Sequence, residues 1–93
     1  MKYRSRAEIT AVILQSAATG ATKTRLMYNA YLSYAQIKEY LRFLVENELL
    51  KYKEGTHLYK VTPKGREFLR VNEEINELVN PGYYNEKLKT IEL

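Results

Sequence analysis

A chain of 93 residues without cysteine has room for one small domain with a modest core, and it can build neither a disulfide framework nor a thiolate metal site. Its net charge of +4 is unevenly spread, with 12 Lys/Arg against 5 Asp/Glu in residues 1–66 and 3 against 6 in residues 67–93, so a basic head precedes an acidic tail, as in a polyanion binder. No apolar run nears the ~20 residues of a membrane span, and Ile9 to Leu14 is too short for a signal core, which sets the expectation of a cytoplasmic protein.

The first helix is announced by Ser5 and Glu8 in capping-box spacing, after which Ile9, Val12, Ile13 and Ala17 recur at helical intervals until Gly20. This predicts a helix over residues 6–18. Thr22 can cap a short second helix that turns Leu26 and Met27 inward and carries Lys23 and Arg25 in its first turn. Cations there oppose the helix dipole, and a nearby phosphate would reverse that penalty. Ser33 and Gln36 form another capping box, with Leu32 and Ile37 placed as a hydrophobic staple, and predict a third helix over residues 34–47. At 100° per residue, Ile37, Leu41, Leu44 and Glu48 share one direction, flanked by Tyr40 and Val45. Ala35, Glu39, Arg42 and Glu46 point the opposite way, with Gln36 and Lys38 along the edges of that polar ridge.

Residues 49–53 and 58–61 then alternate with period 2 around Glu54-Gly55-Thr56-His57, which predicts a hairpin. Tyr52, Tyr59 and Val61 on the core side would turn much of the lysine charge to solvent. Thr62 as N-cap and Pro63 at the first helical position start a fourth helix, predicted to reach residue 80 before Pro81-Gly82 ends it. Phe68, Val71, Ile75 and Leu78 follow the 3, 4, 3 rhythm of a helix-pairing seam, and Leu69 is expected to tie the helix to the domain. Tyr83, Tyr84, Leu88, Ile91 and Leu93 either form a short docking helix capped by Asn85 or fray.

Material for catalysis is scarce. His57 is the only histidine and falls in the hairpin bend, without a second imidazole or a thiol to complete a metal site. The glycines do not form a phosphate-cradling loop, and Glu73-Glu74 reads as a solvated helix face. The expectation is a non-enzyme without cofactor or metal. Of the nine tyrosines, Tyr40, Tyr52 and Tyr59 fall on inward positions. Tyr28, Tyr31 and Tyr34 surround the turn into the third helix, where phosphate contact and packing are equally open to them. Phe43 is expected under a neighbouring element.

The order of parts, a short helix, a capped second helix and a lysine-rich hairpin, is that of a winged helix-turn-helix, a mainly α, α+β fold. The expected division is a DNA-binding winged helix over 1–66, a dimerisation helix over 67–80 and a tail over 81–93. The run Thr24-Arg25-Leu26-Met27-Tyr28-Asn29-Ala30-Tyr31-Leu32-Ser33-Tyr34, then Tyr40-Leu41 and Leu58-Tyr59-Lys60-Val61-Thr62-Pro63-Lys64-Gly65, resembles the small basic archaeal winged-helix proteins associated with chromatin, and related archaeal regulators. The resemblance covers residues 5–79. It implies a winged helix, no enzymatic activity and a homodimer joined by an antiparallel coiled coil of the last long helices. The early stop at Pro81-Gly82 departs from that pattern.

The function expected is double-stranded DNA binding, as a transcriptional regulator or a nucleoid-associated architectural protein. The third helix would enter the major groove with Ser33, Tyr34, Gln36, Lys38, Glu39 and Arg42 near bases or backbone. Arg42 or Gln36 is favoured as base reader, since a forked end pairs two groups on a base edge. Lys23, Arg25 and Tyr28 would hold one flank, and Lys53, Thr56, His57 and Lys60 would hold phosphates from the wing. Lys2, Arg4 and Arg6 either extend the footprint or belong to a mobile N-terminus. Phe68, Val71, Ile75 and Leu78 would pair the two copies. A second reading is a protein-docking module, favoured by the acids Glu39, Glu46 and Glu48, and a third is RNA or tRNA binding through the same basic surface.

Overall fold

In the computed structural model residues 4–79 are described; Lys2 and the tail residues 81–93 lie outside them. The chain folds as α1 (Arg6–Ser16), α2 (Lys23–Asn29), α3 (Tyr34–Glu46), β1 (Leu50–Lys53), β2 (Leu58–Val61) and α4 (Pro63–Val79), which is the mainly helical, winged arrangement predicted. The capping signals act as their spacing implies. Ser5 and Ser33 each accept from the backbone N–H three residues on, while Glu8 and Gln36 accept from the cap N–H in return, and Thr22 Oγ1 accepts from Arg25 N at 3.2 Å.

The core is drawn from every element but α4's far half. Ile13 and Leu14 of α1, Leu26 of α2, Ile37 and Leu44 of α3 and Leu50 of β1 are fully buried. Ile9, Val12, Met27, Leu32, Tyr59, Phe68 and Leu69 pack around that cluster. Phe68, expected in the pairing seam, therefore turns partly into its own domain, as Leu69 does.

Two local expectations are corrected. Helix α1 stops at Ser16 with Ala17 as C-cap, because the Ala17 carbonyl is taken by Gly20 N at 3.2 Å and Val61 N at 3.0 Å. Glu48 is not on the apolar stripe of α3. It follows the helix at φ +62, with Glu48 N donating to Val45 O at 3.0 Å and Leu49 N to Leu44 O at 2.8 Å, the paired bonds of a Schellman stop. The wing also gains a third partner that no periodicity announced: Ala21 and Tyr59 exchange both backbone hydrogen bonds, at 2.9 and 2.8 Å.

The Thr62-Pro63-Lys64-Gly65 segment knits α4 to the end of α3. Thr62 Oγ1 accepts from Gly65 N at 3.0 Å and donates to Glu48 O at 2.6 Å, and Lys64 Nζ donates to Asn47 O at 2.9 Å, placing a cation at the negative end of the α3 dipole. Gly65 is fixed by space, since a Cβ there would stand 2.4 Å from Leu49 O and 2.6 Å from Val61 Cγ2.

Candidate nucleic-acid interface

The turn between α2 and α3 is held from both ends. Leu32 N donates to Met27 O at 3.0 Å and Tyr31 N to Tyr28 O at 3.1 Å, a second Schellman stop, with Tyr31 at φ +54 in its left-handed position. Leu32 packs against the core cluster that contains buried Ile37, in keeping with the staple spacing. The start of α3 is thereby fixed in position and angle.

Fixing it also occupies two expected contact groups. Ser33 Oγ accepts from Gln36 N at 3.2 Å, and Gln36 Oε1 accepts from Ser33 N at 2.9 Å. With its carbonyl oxygen engaged, Gln36 has only its amide N–H groups for a base edge, so of the two expected readers Arg42 alone keeps its full fork. Arg42 is well exposed on the ridge; its guanidinium is 3.9 Å from the Glu39 carboxylate, with the side chains 71% and 80% exposed. Such a solvated pair contributes little to stability and leaves Arg42 free to exchange partners.

A concavity of about 440 Å³ runs between the ridge and the wing. Lys23, Lys38 and Arg42 surround it with one acid, Glu46, and Leu41, Val45, Tyr52 and Tyr59 form its apolar floor. Three of the predicted cations, from two helices, thus meet beside the exposed side of α3. Lys23 Nζ donates to Tyr34 OH at 3.2 Å and lies 4.7 Å from its ring centroid. That hydrogen bond, the charge of Lys23 and then the charge of Lys38 hold the Tyr34 phenol below its usual range. A second concavity, about 410 Å³, lies on the other flank of the ridge, with Arg6, Gln36, Glu39, Tyr40 and Phe43 in its wall; Arg42 and Glu46 are common to both.

The wing presents its charge elsewhere. Leu50, Tyr52, Tyr59 and Val61 occupy one face by strand alternation, and Lys51, Lys53 and Lys60 the other. Lys53 and Lys60 therefore stand apart from the cleft, on the side of the hairpin opposite its tyrosines. Lys51 joins them, although it was not among the expected contacts. Lys51 and Lys60 face each other directly across the ladder, a like-charge juxtaposition that disfavours the isolated fold and that a polyanion would relieve. At the bend, Thr56 Oγ1 donates to Lys53 O at 2.8 Å and accepts from Leu58 N at 3.2 Å. Its hydroxyl builds the turn rather than reaching outward. His57, at φ +59, pairs Nδ1 with Tyr52 OH at 3.2 Å.

Arg25, in the first turn of α2, and Tyr28, on its last, are exposed. Arg4 and Arg6 are ordered against the helices rather than trailing from them. Arg4 donates from its guanidinium to Ala30 O and sits 6.0 Å over the Tyr31 ring. Arg6 lies 5.0 Å over Tyr40 and 5.5 Å over Phe43; Phe43, expected under a neighbouring element, is instead 42% exposed, with this arginine over its ring. The available signal was a pair of arginines bracketing the Ser5 cap in a chain rich in unplaced aromatics.

Among the described residues no three His, Cys, Asp or Glu side chains stand close enough to share a metal ion, and no helix is long and apolar enough to cross a membrane. Residues 3–80 match the sequence model of winged helix-turn-helix proteins. A DNA-binding protein of Sulfolobus solfataricus, Sso10a-2, is similar in structure at a TM-score of 0.76 and 29% identity, over 97% of this chain and 96% of that one. The transcriptional repressor CouR, solved with p-coumaroyl-CoA, shares the fold at a TM-score of 0.60 and 20% identity, over 96% of this chain and 73% of that one. In sequence, an uncharacterized protein of Methanocaldococcus jannaschii is 36% identical over 59 residues, which are 63% of this chain; the match spans 27% of that protein's length. The archaeal relatives agree with the resemblance carried by residues 24–34.

Proposed function

Because the chain belongs to the winged helix-turn-helix family, we propose that it binds double-stranded DNA, as a transcriptional regulator or a chromatin-associated architectural protein, with α3 in the major groove. The observation that carries this is the meeting of Lys23, Lys38 and Arg42 around the cleft beside the exposed ridge of α3. A helix inserted in a major groove has a phosphodiester strand on each side. The concavity on one flank of α3, where Lys23, Lys38 and Arg42 outnumber Glu46, suits one of those strands; on the other flank Arg6 and Arg42 stand with Glu39 and Glu46, so Arg6 would be the phosphate contact there. Ser33, Tyr34 and Lys38 would touch backbone, with Arg42, Glu39 and the amide N–H of Gln36 at base edges. Arg25 and Tyr28 would extend one flank, and Lys53, Lys60 and His57 would reach the next phosphates from the wing.

Two copies would join through Val71, Ile75 and Leu78 of α4, which are 37%, 50% and 80% exposed, with Phe68 at the edge of the contact. The DNA-binding protein from Sulfolobus solfataricus supports the reading by likeness over nearly its whole length. A mobility-shift titration of duplex DNA at two salt concentrations tests it. A shift that weakens steeply with salt is expected. No shift with any duplex would favour a protein-docking module, and preferential competition by structured RNA would move the assignment to RNA.

A further inference from the structure

The described residues contain two Schellman stops of the same design, one after α2 and one after α3, and neither has glycine in the left-handed position. Tyr31 occupies the first at φ +54 and Glu48 the second at φ +62. A residue with a Cβ is disfavoured in that conformation, and a bulky aromatic usually compensates by packing. Tyr31 does not: it is 86% exposed, with Tyr28 at 69% and Tyr34 at 58% on either side of the turn. The surroundings are cationic. Arg4, pinned to the Ala30 carbonyl, lies over the Tyr31 ring, Lys23 lies over the Tyr34 ring, and residues 9–38 contain no Asp or Glu.

We propose that Tyr31 is a backbone-contact residue, which with Tyr28, Tyr34 and the pinned Arg4 grips the phosphodiester backbone of the duplex at the α2–α3 turn. The inference rests on the duplex-binding reading above and adds a contact to it. A phenol O–H donates to a non-bridging phosphate oxygen while the ring lies along the deoxyribose, and the guanidinium beside it supplies the charge. The left-handed backbone aims the side chain out of the turn, and the carbonyl that holds Arg4 keeps the cation in place before the ligand arrives, so little freedom is lost on binding.

Glu48→Gly is the matched control, since it relieves the same backbone conformation away from the patch. Thermal midpoints and duplex affinities would be measured for the full chain and for Tyr31→Gly, Tyr31→Phe, Glu48→Gly and Lys53→Ala. Both glycine variants are expected to raise the midpoint. Only Tyr31→Gly should also lose duplex affinity, by about five- to tenfold, with Tyr31→Phe losing part of that. Equal affinity of Tyr31→Gly and Glu48→Gly, with Lys53→Ala weakened, would overturn the role of Tyr31 and leave the duplex reading standing. Loss on unpaired strands but not on duplex would overturn it in favour of base stacking on the tyrosines. An unaltered chain with no salt-sensitive shift would remove the duplex reading and the inference with it.

Discussion

Gly65 and Tyr34 are single side-chain positions with measurable consequences. The atoms a Cβ at residue 65 would meet include a backbone carbonyl, Leu49 O, which cannot rotate away. Gly65→Ala is therefore expected to destabilise the domain by about 3 kcal/mol, read as a lower denaturation midpoint in urea. Tyr34 reports the local potential. Its phenol is held low by the hydrogen bond and charge of Lys23 and by the charge of Lys38, so Lys23→Met should move its titration, followed by phenolate absorbance, to higher pH. The sign follows from the charged form: the depressed pKa favours the fold fully above the ordinary phenol range, and that contribution is lost as pH falls through the lowered value. Deprotonation also places an anion between the two cations proposed to hold phosphate, so duplex affinity should fall as pH rises through the lowered pKa.

On the duplex-binding proposal, helix α3 and the wing would divide the work of recognition differently. Arg42 stands on the ridge with its fork free apart from the solvated Glu39 contact. Arg42→Ala should relax sequence preference at one base position, at a cost of about 1–3 kcal/mol. Lys53, on the lysine face of the hairpin, is expected to touch backbone only, so Lys53→Ala should weaken all sequences alike and reduce the salt slope by about one. Affinity measured on a panel of duplexes at several salt concentrations separates the two; identical losses on every sequence would exclude base reading by Arg42.

Most of these elements could be read from the chain because their ends are marked by side chains. Ser5 with Glu8, Thr22, Ser33 with Gln36, and Thr62 with Pro63 each state where a helix begins. The stops at Tyr31 and Glu48 were hidden because the usual glycine is missing. A strand of one residue at Ala21 has no period to detect, and the double use of Gln36 as cap and contact shows only when its oxygen is located. The facing of the lysines did follow from alternation, but which flank of α3 the tyrosine face would meet depends on packing that no local pattern encodes.

On the scale of the whole molecule, α4 is bound to the domain at its start and bare towards its end. Arg70 bridges Glu67 at 2.6 Å and Glu74, which stiffens one exposed face and neutralises a cation of the acidic half. Val71, Ile75, Leu78 and Val79 remain exposed, and Ile75→Lys is expected to convert a dimer to a monomer in light scattering behind size exclusion, with the fold retained. Weaker binding to a duplex carrying two half-sites should accompany it, since paired recognition helices require a fixed separation. The Ala21–Tyr59 bonds set a further limit within each copy. They join the middle of β2 to the residue just before the Thr22 cap of α2, so that moving Lys23 relative to the wing has to break two backbone hydrogen bonds. On the duplex-binding proposal, a spacing held in this way would tell apart duplexes whose grooves are narrowed or widened by their own sequence, at steps that no side chain touches.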